Sequence, residues 1–511
     1  MRIVSSALAL VLMLSVPFVA QTKRVTGSDE QRTASRFESL RKSPPEMLAF
    51  VRAMPKGGDL HMHLTGAIYA ESFVQWAALN DYCYNVKTLI LAKPPCDTTD
   101  LNTIKNAAAN PALYRQLIDA WSMRNWQYSG QSGHDHFFDA FLKFGLATRD
   151  QTGGMLAQVA ARAARGNVLY LEVMLTPDSG AASDIGTDVG WNGNAADTLS
   201  RLKSKGIANA VSTGVKNLQN AEAEKNRLLK CGTSEADVGC AVTIRYIAQV
   251  PRADTPERVF AQMVAGFEWS SAPNSKVVAV NLVQPEDWIV PMQDFVLHMS
   301  MLSYLRSIYP RAHITLHAGE LAPGIVPPEG LTYHIRSSVL IGGAERIGHG
   351  VSVMNEKDPY DLLSELARRK VMIEICLTSN DIILGIKGAN HPLATYIKYG
   401  VPVALATDDE GVSRSEMSQE YLRAALEQNL GYLQLKKMAR TSLQYAFLPG
   451  ASLWSDADRF TPVNSCAQDL QKRAVISERC KQFLASSEKA KLQWHLEEDF
   501  AKFESSKRQV R

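Results

Sequence analysis

Eight short apolar runs separated by helix-like stretches recur along the middle of this chain, and that alternation is what most restricts its fold. The runs are Asp59 to Leu64, Val168 to Leu175, Ala241 to Val250, Val277 to Val283, His313 to His317, Arg346 to Gly348, Val371 to Cys376 and Val403 to Ala406. Most are apolar almost throughout, the pattern of strands buried on both faces. Between them lie segments with apolar residues at three- and four-residue spacing. They include Ala70 to Asn80, Gln151 to Arg165, Ala195 to Leu229, Pro256 to Trp269, Met292 to Tyr309 and Pro359 to Arg369. Eight such units spell an α/β fold, the (β/α)8 TIM barrel. An open doubly wound sheet would carry a glycine fingerprint after an early strand, and the chain has neither G-x-G-x-x-G nor a P-loop.

The flanks suggest a setting. Residues 1–20 read as an export signal, with Arg2, the apolar run Ile3 to Val16 and a small residue at Ala20. That run falls short of the ~20 apolar residues of a spanning helix, so the expected destination is secreted or periplasmic, without stable membrane association once the signal is removed. Residues 21–53 form an expected helical extension, 54–415 the barrel with insertions, and 416–511 a helical region packed on it, broken around Pro449 to Pro462. Six of seven cysteines form sequence-local couples, Cys83 with Cys96, Cys231 with Cys240, and Cys466 with Cys480. Their polar, loop-like surroundings are those of disulfides in an oxidising compartment. Cys376 sits in an apolar run and reads as a buried free thiol. Lys and Arg number 55 against 52 Asp and Glu, with no block of five like charges. That balance argues against a nucleic-acid or membrane footprint and for a small ligand.

In such a barrel the chemistry sits at the carboxyl ends of the strands. The first run carries His61 and His63, whose side chains share one face of a strand. The fifth ends in His317-Ala318-Gly319-Glu320, the sixth in Gly348-His349-Gly350, and the eighth leads into Thr407-Asp408-Asp409. His61, His63, His317 and Asp408 make a ligand set for one zinc ion with a position left for water. Zinc lowers the pKa of such a water toward ~7. Glu320, His349 and Asp409 then remain, Glu320 to deliver a proton, His349 to hold or deprotonate the water, and Asp409 to accept a hydrogen bond from the substrate. His134 and His136 read as a helix cap and a surface group.

H-x-H, H-A-G-E, G-H-G and T-D-D in this order resemble the adenosine deaminase family of the metal-dependent amidohydrolases, from about Met54 to Val412. Cys376-Leu377-Thr378-Ser379-Asn380 is similar to that family's C-P-x-S-N, with leucine for proline. The signal, Met54 to Gly58 and the cysteine-bearing loops resemble its secreted, growth-factor-type branch or a bacterial exported relative. That likeness implies a homodimer formed through the amino-terminal helices. The family resemblance implies hydrolytic deamination of adenosine and 2'-deoxyadenosine. Glu320 would protonate N1, His349 orient the water and shuttle its proton, and Asp409 contact the N7 side of the purine. Thr65 stands where the family has an aspartate near the ribose, and Gln284 where it has a glycine that contacts the purine. Either Gln284 brings an amide into the pocket or the register slips and Glu286 matters instead. These departures keep open a related amidohydrolase acting on another amino-purine or an N6-substituted adenine derivative. A non-catalytic secreted signalling or binding protein is opposed by the complete metal and acid set. Deaminases built on H-x-E with P-C-x-x-C are excluded, because the chain has no C-x-x-C.

Overall fold

All eight apolar runs become strands of one parallel sheet in the computed structural model, which describes residues 28–472 and 476–506. The export signal expected over residues 1–20 lies outside the described residues. The strands are β1 (Gly57–His63), β2 (Val168–Leu175), β3 (Thr243–Pro251), β4 (Val277–Val283), β5 (His313–Ala318), β6 (Arg346–His349), β7 (Met372–Ile375) and β8 (Val403–Leu405). Each pairs with the next in sequence. His63 N–H donates to the Asp408 carbonyl at 3.2 Å and Asp408 N–H to the His61 carbonyl at 2.9 Å, so the last strand closes back on the first. The seam of the barrel is therefore built from the H-x-H and T-D-D motifs. Every position of β4 is buried, as strands covered by helices on one side and barrel core on the other must be.

Helix limits follow local chemistry. Pro256–Ser271 starts with proline in its first turn, where a missing N–H costs nothing. The stretch expected as one helix from Ala195 to Leu229 is two, Ala195–Lys205 and Ile207–Leu228, because Gly206 takes a left-handed φ of +95° between them. Among the described residues, helices that were not expected include Ala181–Val189 and Leu377–Leu384. His134 and His136 both lie inside the helix Gly133–Phe144, which Ser132 caps instead. His136 is buried, its ring bonded to Gln131 and to the Asp119 carbonyl, so it is not a surface group.

The amino-terminal extension folds as helices Asp29–Ser39 and Pro44–Ala53. After the barrel come Met417–Leu426, Tyr432–Tyr445, Ala467–Lys472, Glu478–Ala485 and Glu488–Ser505, with a small ribbon of Trp454–Asp456 and Thr461–Pro462 in the break. Helix Tyr432–Tyr445 lies across the amino end of β1. A Cβ on Gly57 would sit 2.2 Å from the Ala439 carbonyl oxygen, and Gly58 N–H donates to Ser442 Oγ at 2.8 Å. The two glycines thus admit this helix, at the end of the strand away from the histidines. The three expected disulfides form, each within one insertion or the tail, and Cys376 is free and buried. Among the described residues no helix is long and apolar enough to cross a membrane.

Candidate active site

Three histidines at the carboxyl ends of β1 and β5 present the same nitrogen inward. His61 Nδ1 bonds the Glu374 carboxylate at 2.6 Å, His63 Nδ1 bonds Gln249 Oε1 at 3.2 Å, and His317 Nδ1 bonds Asn281 Oδ1 at 2.9 Å. The Asn281 oxygen is fixed as an acceptor by the His317 backbone N–H, which also points at it. With each Nδ1 donating to an oxygen, each Nε2 is left with a bare lone pair. His63 Nε2 and His317 Nε2 face each other at 3.1 Å, both His61 Nε2 and His63 Nε2 lie 3.5 Å from Asp408 Oδ1, and His61 Nε2 has no hydrogen-bond partner. Lone pairs so close together repel unless a cation sits among them, so the donor set fits a metal ion. Burial disfavours charge on His61, while the Asp408 and Glu374 carboxylates favour a positive charge beside them, and a cation among the rings would supply it in place of a second ring proton.

His61, His317, His349 and Asp408 offer ligand atoms within 4.8 Å of one another, while His63 groups with Asp408 and Asp409. The four residues expected as ligands from sequence are thus brought together, and His349 stands among them. His349 Nε2 has no hydrogen-bond partner and lies 3.6 Å from Glu320 Oε1. Burial pulls the His349 pKa down to about 3, which keeps the ring neutral.

The carboxyl groups divide by environment. Burial, then the charges of Asp408 and Glu286, holds Glu320 well above the usual carboxylate range. Burial and the adjoining Asp408 do the same to Asp409. Asp408 itself stays ionised, since its contacts with His61, His349 and His63 outweigh the cost of burial. Burial thus favours the protonated form of Glu320 and of Asp409, the form in which a carboxyl can donate.

Room and strain are built into the strand ends. A Cβ on Gly348 would lie 2.5 Å from His61 Cε1, so G-H-G needs its first glycine to admit the ring. Gln284, His349 and Asp408 have φ of +81°, +69° and +58°. For residues with a side chain this conformation costs roughly 1–2 kcal/mol each, and such strain collects at functional sites.

Thr65 is half-buried just after His63. Gln284 is exposed, and its Oε1 accepts from Ala253 N at 2.7 Å, so its amide is turned away onto the following loop. Glu286 takes the inner position. Its buried carboxylate accepts from Gly319 N at 3.1 Å and Glu320 N at 2.8 Å, and pairs with His334. It fixes the turn that carries Glu320. Arg252, also buried, donates to the carbonyls of Gln284 and His317. Gln249, Asn281 and Glu374 were not singled out from sequence. The available signal was a polar residue inside an otherwise apolar strand.

A sequence profile of the family described as adenosine deaminase matches residues 112–453, more than half of the chain. Among curated proteins, an adenosine deaminase of Yersinia pseudotuberculosis is 36% identical over 152 residues, 30% of this chain and 42% of that protein. One of Escherichia coli is 38% identical over 137 residues, 27% of this chain and 38% of that protein. The chain therefore aligns with less than half of the length of these relatives. Among solved structures, an N6-methyl-AMP deaminase of Arabidopsis thaliana superposes with a TM-score of 0.51 at 20% identity, covering 79% of this chain and 94% of that one. A zinc-bound amidohydrolase of Burkholderia ambifaria gives 0.51 at 17% identity, covering 88% and 94%. These two likenesses bear on the fold, the same barrel. With the profile spanning the H-A-G-E, G-H-G and T-D-D motifs, and a histidine and aspartate cluster fit for the cation this metal-dependent family uses, the chain belongs to the adenosine deaminase family.

Proposed function

We propose that this protein hydrolyses the 6-amino group of adenosine and 2'-deoxyadenosine to inosine, 2'-deoxyinosine and ammonia, with one zinc ion held by His61, His63, His317 and Asp408. The observation that carries the reading is the buried Glu320 carboxyl, held above the usual carboxylate range by burial and lying 3.6 Å from His349 Nε2, beside the metal cluster. A bound zinc would act as Lewis acid and supply a water of lowered pKa. Glu320 gives its proton to purine N1, which makes C6 electrophilic. His349 Nε2 positions the water oxygen as the C6–O bond forms. The C6–N6 bond then breaks, and the amino group leaves as ammonia after taking one water proton, while the other restores Glu320. The Asp409 carboxyl donates to N7, an acceptor.

A second reading, an N6-substituted adenine derivative as substrate, is favoured by Thr65 standing where the family has an aspartate. The test follows loss of adenosine absorbance on zinc-loaded protein, with adenine, AMP, guanosine and N6-methyladenosine alongside. Turnover of another purine with adenosine untouched would overturn the leading reading. Glu320→Gln should lower kcat about 10²- to 10⁴-fold with zinc content intact. Three disulfides support a secreted or periplasmic setting.

A further inference from the structure

His349 ends a chain of hydrogen bonds whose direction follows from one fixed donor. Leu393 N–H, a backbone group that can only donate, points at His391 Nδ1 at 3.1 Å. His391 Nδ1 therefore carries a lone pair, and the ring proton sits on Nε2. That nitrogen lies 3.0 Å from Asn380 Oδ1, so the amide oxygen accepts. The amide nitrogen, 3.0 Å from His349 Nδ1, then donates. His349 Nδ1 is an acceptor, and its ring proton belongs on Nε2, the nitrogen that faces Glu320. All three side chains are buried, so solvent does not compete for these bonds.

The polarity is opposite to that of the neighbouring rings. His61, His63 and His317 each give the Nδ1 proton to a protein oxygen and aim a lone pair inward. His349 receives at Nδ1 and aims an N–H inward. We infer that Asn380 and His391 are positioning residues that lock His349 in its Nε2–H tautomer. His349 thereby stands among the metal ligands as a hydrogen-bond donor to the water, neither a ligand nor a base. His391 belongs to none of the four motifs, and it acts only through Asn380.

The kinetic consequence rests on the deaminase reading, whereas the tautomer does not, so the test has two arms. Long-range 1H–15N spectra of histidine-labelled, zinc-loaded whole protein should show His349 with Nε2 protonated and Nδ1 bare, its signals assigned by their loss in His349→Gln. That variant should keep one zinc per chain. A proton on Nδ1, a doubly protonated ring, or loss of zinc in His349→Gln would overturn the inference. In the second arm, His391→Leu frees the Asn380 amide, whereas His391→Gln offers an acceptor to Leu393 and a donor to Asn380. His391→Leu should give mixed tautomers at His349 and a kcat about 10- to 100-fold lower at unchanged KM and zinc content, with most of kcat recovered in His391→Gln. Equal spectra and equal kcat in the two variants would also overturn it. Should His391→Leu fail to fold, the wild-type spectrum decides alone.

Discussion

Replacing Gly66 by alanine tests where the Asp409 carboxyl has to be. A Cβ at residue 66 would lie 1.5 Å from Asp409 Oδ1, 2.3 Å from its Cγ and 2.7 Å from its Cβ. Comfortable contacts begin near ~3.5 Å, so the carboxyl must retreat by about 2 Å. Rotating the aspartate side chain does not suffice, because its own Cβ is already too close. Nor can the loop swing away cheaply, since Gly411 N–H and Val412 N–H both donate to the Gly66 carbonyl at 2.9 Å. Gly66 has no positive φ, so alanine meets no backbone penalty and the perturbation is spatial. Overpacking of this kind costs about 1–3 kcal/mol of stability. A misplacement of ~1 Å in a reacting group costs about 10²-fold in rate, so kcat/KM for adenosine should fall at least about 100-fold. Zinc content should hold, because the clash falls on Asp409 and on none of the four ligands. Gly145→Ala is the control, being helical with nothing within 4 Å of an added Cβ. Steady-state kinetics, metal analysis and a melting curve on both variants decide the matter. A folded, zinc-loaded Gly66→Ala enzyme with wild-type kcat/KM would show that Asp409 does not touch the purine.

Glu374→Gln should weaken metal retention about 10- to 100-fold, read by competition with a chelator, because the carboxylate that orients His61 loses its charge. Stripping the metal should abolish activity and lower Tm, with zinc restoring both, since a ligand bound only to the folded state stabilises it. Burial pushes the Glu420 carboxyl up to about 7 from 4.5. Across that window the folded protein keeps a proton that the unfolded chain has released, so stability should fall as pH rises. Urea unfolding should show this part of the slope, up to about 3 kcal/mol, and its disappearance in Glu420→Gln.

The barrel was legible because each strand is short, apolar and bounded by helical spacing, and because its polar residues lie where the strands end. His61, His63, His317, Glu320, His349, Asp408 and Asp409 all belong to such ends, and they meet in one pocket. The residues that hold them were harder to see. Glu374 and Asn281 sit inside apolar strands, where one polar residue looks like noise until its partner on another strand is known. Gln284 and Glu286 show the same difficulty at a loop, because a left-handed φ at Gln284 decides which of the two turns inward, and spacing alone cannot tell. The helix Ala181–Val189 hid for a different reason. Its run Ala-Ala-Ser-Asp-Ile-Gly-Thr-Asp-Val is rich in residues that also favour turns, and it is held by packing, with Gly186 admitting the Glu257 carbonyl.

Chain order adds a constraint of its own. Glu374, which orients His61, is itself gripped by Arg346, and Arg346 pairs with Glu172, donates to the Tyr445 carbonyl and lies 4.0 Å over the Phe447 ring. Phe447 N–H in turn bonds the Glu172 carboxylate at 2.8 Å. All eight strands have left the ribosome by Leu405, yet the brace behind the first histidine is not whole until some forty residues later. A chain cut just after Asp409 would carry every ligand and still lack the clamp that aims one of them. The segment after the barrel is thus part of what holds the first histidine in place.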